Sequence, residues 1–270
     1  MSFRVLISIE RWNFTWTKHW EDMLANLAGK TVLITGALGT IGKALVARYH
    51  EAGATVIASD RPHVENASET IGKIARDVRY FGCDLSDLAG TEKAVTALAE
   101  EVGGIDILVN NAAFVVNKPH EQFTIEEYEN EVRINSSAAF VVARACSAMM
   151  KQKKYGKIVN MTSATLTGHW EGFVPYVASK GAMYGLIKAL ARELGHYGIN
   201  VNGVSPGAVV SEAEWRHFGE KREEYHKWIL ERQSLKRRIE PEDIANLVVF
   251  LSSPEADLIT GQDIHCDGGW

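Results

Sequence analysis

Short apolar runs alternate with longer stretches of helical periodicity along almost the whole chain. The first run is Val32–Ile34, and similar runs follow at 55–58, 78–81, 105–109, 157–161, 200–204 and near Ile264. Stretches with helical periodicity lie between them, at 65–76, 87–102, 124–151, 176–196 and 241–252. Strands that alternate with helices form βαβ units and therefore a parallel sheet. The sequence predicts an α/β fold over residues 29–270, a single-domain doubly wound parallel sheet with helices on both faces.

The composition excludes several classes of partner. With 270 residues, 46% of them hydrophobic, and a net charge of -5, the chain fits one globular domain that does not bind nucleic acid. No apolar stretch approaches the roughly eighteen residues that a membrane helix needs. Cys83, Cys146 and Cys266 are too far apart for a disulfide framework or a metal site. We therefore expect no bound metal, no membrane contact and a reducing, cytoplasmic location.

The N-terminal segment differs from the rest of the chain. Large apolar residues recur there at helical spacing, namely Trp12, Trp16, Trp20, Met23 and Leu27. Such a stripe predicts that residues 1–28 form an extension, with a helix that docks on the body or on a partner subunit. An alternative is that Met23 is the true start.

Glycines follow the first apolar run at regular spacing. Gly36, Gly39 and Gly42 precede good helix formers from Lys43 onward. Glycine adopts positive φ and lets another backbone or a ligand approach closely, and a helix N-terminus behind it suits a phosphate. Asp60 follows Gly36 by 24 residues, where a carboxylate can bind the ribose hydroxyls of a dinucleotide. A plain structural turn and a simple turn aspartate are the alternatives.

A second group of polar residues follows the fifth apolar run. Ser163 ends that run, and Tyr176 and Lys180 come thirteen and seventeen residues later. Tyrosine and lysine at i and i+4 share a helix face, so the ammonium favours the phenolate and lowers a phenol pKa that starts at about 10. Tyr176 is therefore a candidate acid/base. Taken alone, this tyrosine–lysine spacing is more often accidental.

These motifs, taken in order, resemble the short-chain dehydrogenase/reductase family, and in particular its short, NAD-dependent branch with a Rossmann fold. The resemblance covers residues 29–270. The residues that match the motifs of the family are Thr35, Gly36, Gly42, Asp84, Asn110, Asn111, Ala112, Asn135, Ser163, Tyr176, Lys180, Pro206, Gly207, the segment 259–261 and the segment 267–269. Thr40 and Ala113 depart from the pattern because glycine is usual at both places. The glycine spacing also resembles that of the extended members of the family.

The resemblance implies four catalytic residues. Ser163 would hydrogen-bond the substrate oxygen while Tyr176 exchanges the proton. Lys180 would hold the nicotinamide ribose and lower the pKa of the tyrosine, and Asn135 would anchor a water that relays protons.

The resemblance also implies a cofactor, NAD, and the residues that bind it. Asp84 and Leu85 would flank the adenine, Asn111 the adenosine ribose, and Pro206 and Gly207 the nicotinamide. Asp60 would disfavour the extra phosphate of NADP, although Arg61 could offset part of the repulsion. The full set of expected cofactor residues is Gly36, Gly39, Thr40, Ile41, Gly42, Asp60, Arg61, Asp84, Leu85, Asn111, Ala112, Tyr176, Lys180, Pro206, Gly207, Val209 and Ser211.

The expected substrate is a medium-sized secondary alcohol or ketone, cyclic or hydroxylated. Its pocket would be lined by Phe114, Val115, Ala164, Thr165, His169, Trp170, Phe173 and a helical lid over 208–233 that carries Trp215, Arg216, His217, Phe218, Tyr225 and Trp228. The alternatives are an NADP-dependent 3-ketoacyl-type reductase and a non-catalytic dinucleotide-binding sensor. The resemblance further implies a homo-oligomer, a tetramer or a dimer, paired through the long helices over 124–151 and 176–196 and through the C-terminal strands.

Overall fold

A computed structural model describes residues 26–270, apart from the side chains of residues 213, 216 and 217. Within this range the strands form one seven-stranded sheet in the order β3-β2-β1-β4-β5-β6-β7, and every pairing is parallel. The predicted doubly wound parallel fold is confirmed. The strands are β1 (Thr31–Thr35), β2 (Thr55–Asp60), β3 (Arg79–Gly82), β4 (Ile107–Asn110), β5 (Gly156–Met161), β6 (Ile199–Pro206) and β7 (Asp263–Cys266).

Helices cover both faces of the sheet. They are α1 (Thr40–Glu51), α2 (Ala67–Ile74), α3 (Leu88–Glu101), α4 (Ile125–Val132), α5 (Ala138–Lys153), α6 (Val174–Leu194), α7 (Glu212–Phe218), α8 (Arg222–Arg232) and α9 (Pro241–Leu251). On β1, Val32 and Ile34 belong to the core beneath α1 and α9, whereas Leu33 belongs to the core beneath α3 and α5. Because both faces are covered, the strand is apolar throughout rather than alternating.

The predicted helix over 124–151 is interrupted. Thr124 caps α4 through a hydrogen bond from the backbone N–H of Glu127 to its hydroxyl, 3.1 Å long. A π-helical turn, Arg133–Ser137, then separates α4 from α5. Periodicity does not reveal this break, because apolar residues continue on both sides of it. π-Turns occur frequently at functional sites, and this one contains Asn135.

Leu27 does not belong to the helix predicted for the N-terminal segment. It is buried in the core beneath α1, and its backbone N–H donates to the carbonyl of Ala52 at 2.8 Å. A turn with Gly29 at φ +75° then leads into β1. Trp12, Trp16, Trp20 and Met23 lie outside the described residues.

The strand order places a crevice at the carboxyl ends of β1 and β4. The chain leaves β1 toward β2 on one side, and β4 continues on the other side. Ligands of open α/β sheets bind at such a switch point. The segment after β6 carries α7 and α8 within the predicted lid region. No helix within residues 26–270 is long and apolar enough to cross a membrane.

Candidate active site

The glycine turn after β1 packs tightly against the loop after β4. Gly36 has φ +66°, and a Cβ atom there would lie 2.7 Å from the Cα of Ala112. A Cβ atom on Gly42 would lie 2.1 Å from the carbonyl oxygen of Gly36. Both positions therefore require glycine, whereas Gly39 makes only an ordinary contact of 3.4 Å.

Thr35 and Asn111 hold this turn in place. The amide of Asn111 donates to the carbonyls of Thr35 and Gly36, both at 3.0 Å. In return, the Thr35 hydroxyl accepts from the backbone N–H groups of Asn111 and Ala112, both at 3.1 Å. The two strand ends are thereby joined at the switch point.

The N-terminus of α1 is suited to an anion. Gly39 precedes the helix without a side-chain cap, and the described first turn contains no acidic residue. Its N–H groups and helix dipole therefore favour a phosphate. Thr40, which replaces the usual glycine, accepts a hydrogen bond from the backbone N–H of Glu212 at 3.3 Å, and Lys43 pairs with the Glu212 carboxylate at 3.1 Å. These contacts join α1 to the start of α7.

Asp60 lies at the end of β2 and contacts the glycine turn. One carboxylate oxygen accepts from the N–H of Leu38 at 3.0 Å, and the other accepts from the N–H of Arg61 at 2.8 Å. Each oxygen has a further lone pair that can accept from a ribose hydroxyl. At the end of β3, Asp84 accepts from the N–H and hydroxyl of Ser86, and these bonds lower the pKa of its carboxyl.

A cavity of about 300 Å³ opens beside the glycine turn at the carboxyl edge of the sheet. It brings together predicted cofactor-binding residues and predicted catalytic residues. The cavity is lined by the predicted residues Ile41, Asn111, Ser163, Tyr176, Lys180, Pro206, Gly207, Val209 and Ser211. The other expected cofactor residues lie outside its lining, in the glycine turn, at the ends of β2 and β3, and at Ala112.

Ser163, Tyr176 and Lys180 meet in this cavity. Burial raises the pKa of Tyr176 to about 12, and a hydrogen bond between its side chain and that of Ser163 opposes this rise. Burial also lowers the pKa of Lys180 to about 8, and its Nζ donates to the carbonyl of Met161 at 2.6 Å. The pKa of Tyr176 therefore lies above its ordinary value, because dehydration of the phenol raises it more than the hydrogen bond with Ser163 lowers it.

Asn135 lies beside the cavity rather than in its lining. Its Oδ1 accepts from the N–H of Phe114 at 2.7 Å, and its Nδ2 donates to the carbonyl of Phe114 at 2.9 Å and to the hydroxyl of Ser179 at 3.0 Å. Ser179 in turn donates to the carbonyl of Tyr176 at 2.7 Å. Asn135 thus joins the loop after β4 to the helix that carries Tyr176 and Lys180.

Glu131 is a buried acid that the sequence reasoning did not single out. One of its oxygens accepts from the N–H of Val116 at 3.2 Å, and the other has no hydrogen-bond partner among the described residues. Burial is the main cause that raises the pKa of its carboxyl, and its charge adds to the rise of the Tyr176 pKa. Its position four residues before Asn135, on the same helix face, was the available signal.

Aromatic side chains form one wall of the cavity. Of the expected lining, Val115, Ala164, Thr165, Trp170, Phe173, Phe218 and Tyr225 are present. Trp170 donates to the hydroxyl of Tyr225 at 3.1 Å and stacks on Trp270 with ring centroids 4.4 Å apart. Four expected residues do not line the cavity. Phe114, His169 and Trp228 are outside its lining, and Trp215 is 54% exposed, beneath the guanidinium of Arg222. The side chains of residues 216 and 217 lie outside the described part of the chain.

Glu214 and Arg238 form a buried ion pair that the sequence did not indicate. Both oxygens of Glu214 accept from the guanidinium, one of them at 3.0 Å. Glu214 lines the cavity, whereas Arg238 does not. In the sequence, Ser211 and Glu214 have the spacing of a helix cap, and the backbone part of that cap forms, since the N–H of Glu214 donates to the Ser211 hydroxyl at 3.1 Å. This spacing predicts an exposed glutamate, so its burial depends on Arg238.

Comparison with known proteins gives consistent matches over most of the chain. A family model described as enoyl-(acyl carrier protein) reductase matches residues 36–270. The D-threitol dehydrogenase of Mycolicibacterium smegmatis is 35% identical over 252 residues, covering 92% of this chain and 95% of that protein. A 3-oxoacyl-(acyl-carrier-protein) reductase of Rickettsia felis is 34% identical and covers 91% of this chain and 98% of that protein.

A solved structure agrees with these matches. A protein from Beutenbergia cavernae, described as an NAD(P)-dependent gluconate 5-dehydrogenase with NADP bound at low occupancy, superposes with a TM-score of 0.84 at 32% identity. The match covers 91% of this chain and 98% of that chain. Fold, site and matches together define an oxidoreductase that acts on hydroxyl or keto groups with a nicotinamide dinucleotide. The chain belongs to the short-chain dehydrogenase/reductase family.

Proposed function

We propose that this protein interconverts a medium-sized secondary alcohol and its ketone, with NAD as the preferred cofactor and Tyr176 as the acid/base. One observation carries the proposal. Ser163, Tyr176 and Lys180 line a single cavity together with the predicted nicotinamide residues Pro206, Gly207 and others. A module that only binds a dinucleotide has no need of an acid/base group in that place.

The residues of the site divide the chemistry between them. Bound NAD supplies the hydride acceptor for alcohol oxidation. Ser163 donates a hydrogen bond to the substrate oxygen, and the Tyr176 phenolate accepts the hydroxyl proton. The Lys180 ammonium stabilises the phenolate, and Asn135 positions the helix through Ser179. The water relay through Asn135 stays a prediction.

The cofactor residues supply three kinds of contact. The backbone at Gly39, Thr40, Ile41 and Gly42 would hold the pyrophosphate at the start of α1. The Asp60 carboxylate would accept from the ribose hydroxyls of the adenosine half. We expect Asp84, Leu85 and Ala112 to contact the adenosine half of the cofactor, because they follow the carboxyl ends of β3 and β4.

A substrate screen tests this function. We expect turnover of one or more secondary alcohols or ketones, followed by the absorbance of reduced nicotinamide, with NAD used better than NADP. Tyr176→Phe should remove nearly all turnover and retain cofactor binding. Tyr184→Phe is the matched control, because Tyr184 is 43% exposed on the same helix and lies outside the cavity lining. An active Tyr176→Phe enzyme would contradict the assignment, and cofactor binding without any turnover would favour the sensor.

A second candidate is an NADP-dependent 3-ketoacyl-type reductase. The 34% identity with the Rickettsia felis reductase and the NADP in the Beutenbergia cavernae protein favour it. A preference for NADP with 3-ketoacyl thioesters in the same screen would identify it. For the whole protein, we expect a cytoplasmic homo-oligomer, a tetramer or a dimer, in which residues 1–28 form a docking extension.

A further inference from the structure

The cavity contains a carboxylate that the proposed reaction does not use. Among the described side chains that line it, Lys180 is the only basic residue and Glu214 the only acidic one. The Nζ of Lys180 donates to the carbonyl of Met161 and lies 5.4 Å from the centroid of the Tyr176 ring. Glu214 is only 8% exposed, so its carboxylate faces a largely dehydrated environment. A buried carboxylate that lines a substrate cavity selects what can bind beside it.

Arg238 stabilises this carboxylate from outside the cavity lining. Its two terminal nitrogens donate to the two oxygens of Glu214, and one of them also donates to the carbonyl of Ala208 at 3.2 Å. Arg238 is 9% exposed, so the pair is buried on both sides. Each carboxylate oxygen accepts one of these bonds and has the capacity to accept another. Glu214, which lines the cavity, therefore has spare acceptor capacity and no donor.

The side chains next to Glu214 place it at the aromatic end of the cavity. Arg238, the partner of Glu214, lies with its guanidinium carbon 5.8 Å from the centroid of the Tyr225 ring, and Tyr225 accepts the hydrogen bond from Trp170. Trp170 and Phe173 belong to the segment that precedes Tyr176, and both line the cavity. This end thus combines apolar ring surface with a hydrogen-bond acceptor, a combination that suits a carbon chain with several hydroxyl groups.

We propose that Glu214 is a specificity-determining residue that accepts a hydrogen bond from a second hydroxyl of a neutral polyol and rejects carboxylated analogues. This inference rests on the proposed function, since it concerns the substrate of the same site. A hydroxyl can donate to Glu214, so the polyol satisfies the buried carboxylate. A substrate carboxylate has no proton to donate and brings a second negative charge, which the single Arg238 guanidinium cannot neutralise. An alcohol without further hydroxyls gains no hydrogen bond from the second acceptor position of either oxygen.

The first test uses the unmodified protein. We would compare kcat/KM for neutral tetritols and pentitols, for aldonates of the same chain length, and for cyclohexanol, all with NAD. We expect the best neutral polyol to exceed both other classes by about 100-fold or more, since sites built around a buried polar group reject unmatched analogues strongly. Equal or better use of an aldonate or of cyclohexanol would overturn the inference.

The second test changes the carboxylate. Glu214→Gln removes the charge and adds a donor, so the preference for polyol over aldonate should fall by about tenfold or more, with KM for NAD unchanged. Glu224→Gln is the matched control, because Glu224 is exposed on α8, and it should leave the preference unchanged. A higher KM for NAD with an unchanged substrate preference would assign Glu214 to the cofactor and overturn the inference.

Glu214→Gln leaves the Arg238 guanidinium buried without a negatively charged partner, so this variant could fail to fold. A third variant provides a test in that case. The combined variant Glu214→Met with Arg238→Met removes both charges and retains side-chain volume. It should also lose the preference for the neutral polyol, and a retained preference would overturn the inference. The proposed function fails separately, if the unmodified protein turns over no alcohol or ketone in the panel.

Discussion

Tyr176 and its surroundings determine how activity responds to pH. Burial raises the pKa of the phenol to about 12. Alcohol oxidation requires the phenolate, whereas ketone reduction requires the protonated phenol. Oxidation should therefore accelerate as pH rises from neutral into the alkaline range, and reduction should not need alkaline conditions. Profiles of kcat/KM against pH in both directions measure this, and an oxidation rate that is flat or falls over that range would contradict it.

Glu131 gives a second prediction about the same phenol. Its negative charge raises the pKa of Tyr176, so Glu131→Gln should move the alkaline rise of alcohol oxidation to lower pH. Glu129→Gln is the control, since Glu129 is exposed on the same helix. A residue that only supports the loop at Val116 would change KM or stability and leave the position of the profile unchanged. Such a result would reject an electrostatic role for Glu131.

Asp60 should determine the choice between NAD and NADP. Two unit charges about 4 Å apart repel by roughly 4 kcal/mol at an effective dielectric of about 20, and solvent screening reduces this to about 1 to 3. A preference for NAD of roughly ten- to a hundredfold follows. Asp60→Ala and Asp60→Asn should both reduce the preference for NAD over NADP, as measured by the ratio of kcat/KM values with the two cofactors.

The control for Asp60 is Asp77→Asn, because Asp77 is exposed at φ +61° before β3, a conformation that asparagine tolerates. Arg61→Ala tests the opposing effect of the neighbouring guanidinium. Equal use of both cofactors by the unmodified protein, or no gain for NADP in either Asp60 variant, would show that Asp60 is not the selector.

At the scale of elements, the turn between β1 and α1 depends on a contact between backbones. Gly42→Ala would bring a Cβ atom to 2.1 Å from the Gly36 carbonyl, so the turn must open. We expect a loss of about 1 to 3 kcal/mol in the free energy of unfolding and weaker cofactor binding. Thermal unfolding and a cofactor titration measure the two effects.

Gly72→Ala is the matched control for Gly42→Ala. Gly72 lies within α2, and an added Cβ atom there would have no neighbour within 4 Å. This change should stabilise the protein by about 0.5 to 1 kcal/mol, because alanine loses less backbone entropy in a helix. A Gly42→Ala protein as stable as the original would show that the turn relaxes without cost.

The helix after β4 shows the limit of element prediction. Its apolar periodicity predicts one helix over 124–151, and the structure divides it at the π-turn that holds Asn135. The side chain of Asn135 bonds to Phe114 and Ser179, 21 and 44 residues away along the chain. Contacts with residues so distant in the chain do not affect the local pattern of apolar residues. A sequence motif could therefore identify Asn135, whereas the break in the helix could not be predicted.

At the scale of the whole molecule, we predict association into a tetramer or dimer through α5 and α6. Large apolar side chains are exposed there, with Phe140 at 41%, Tyr184 at 43% and Val174 at 53%. Sedimentation should show an oligomer at micromolar concentration, and Phe140→Glu should shift it toward the monomer. Lys73→Glu on α2, on the other face of the sheet, should not. A protein that is monomeric throughout would contradict the prediction.

The sequence by itself determined the parallel sheet, the glycine turn and the pairing of Tyr176 with Lys180. Each of these depends on residues close together in the chain, whose spacing local geometry translates directly into a strand, a turn or a helix face. Only the tertiary structure decided that Glu214 is buried against Arg238, 24 residues away, and that Trp170 binds Tyr225, 55 residues away. It also decided the raised pKa of Tyr176, because burial depends on everything that packs around the phenol.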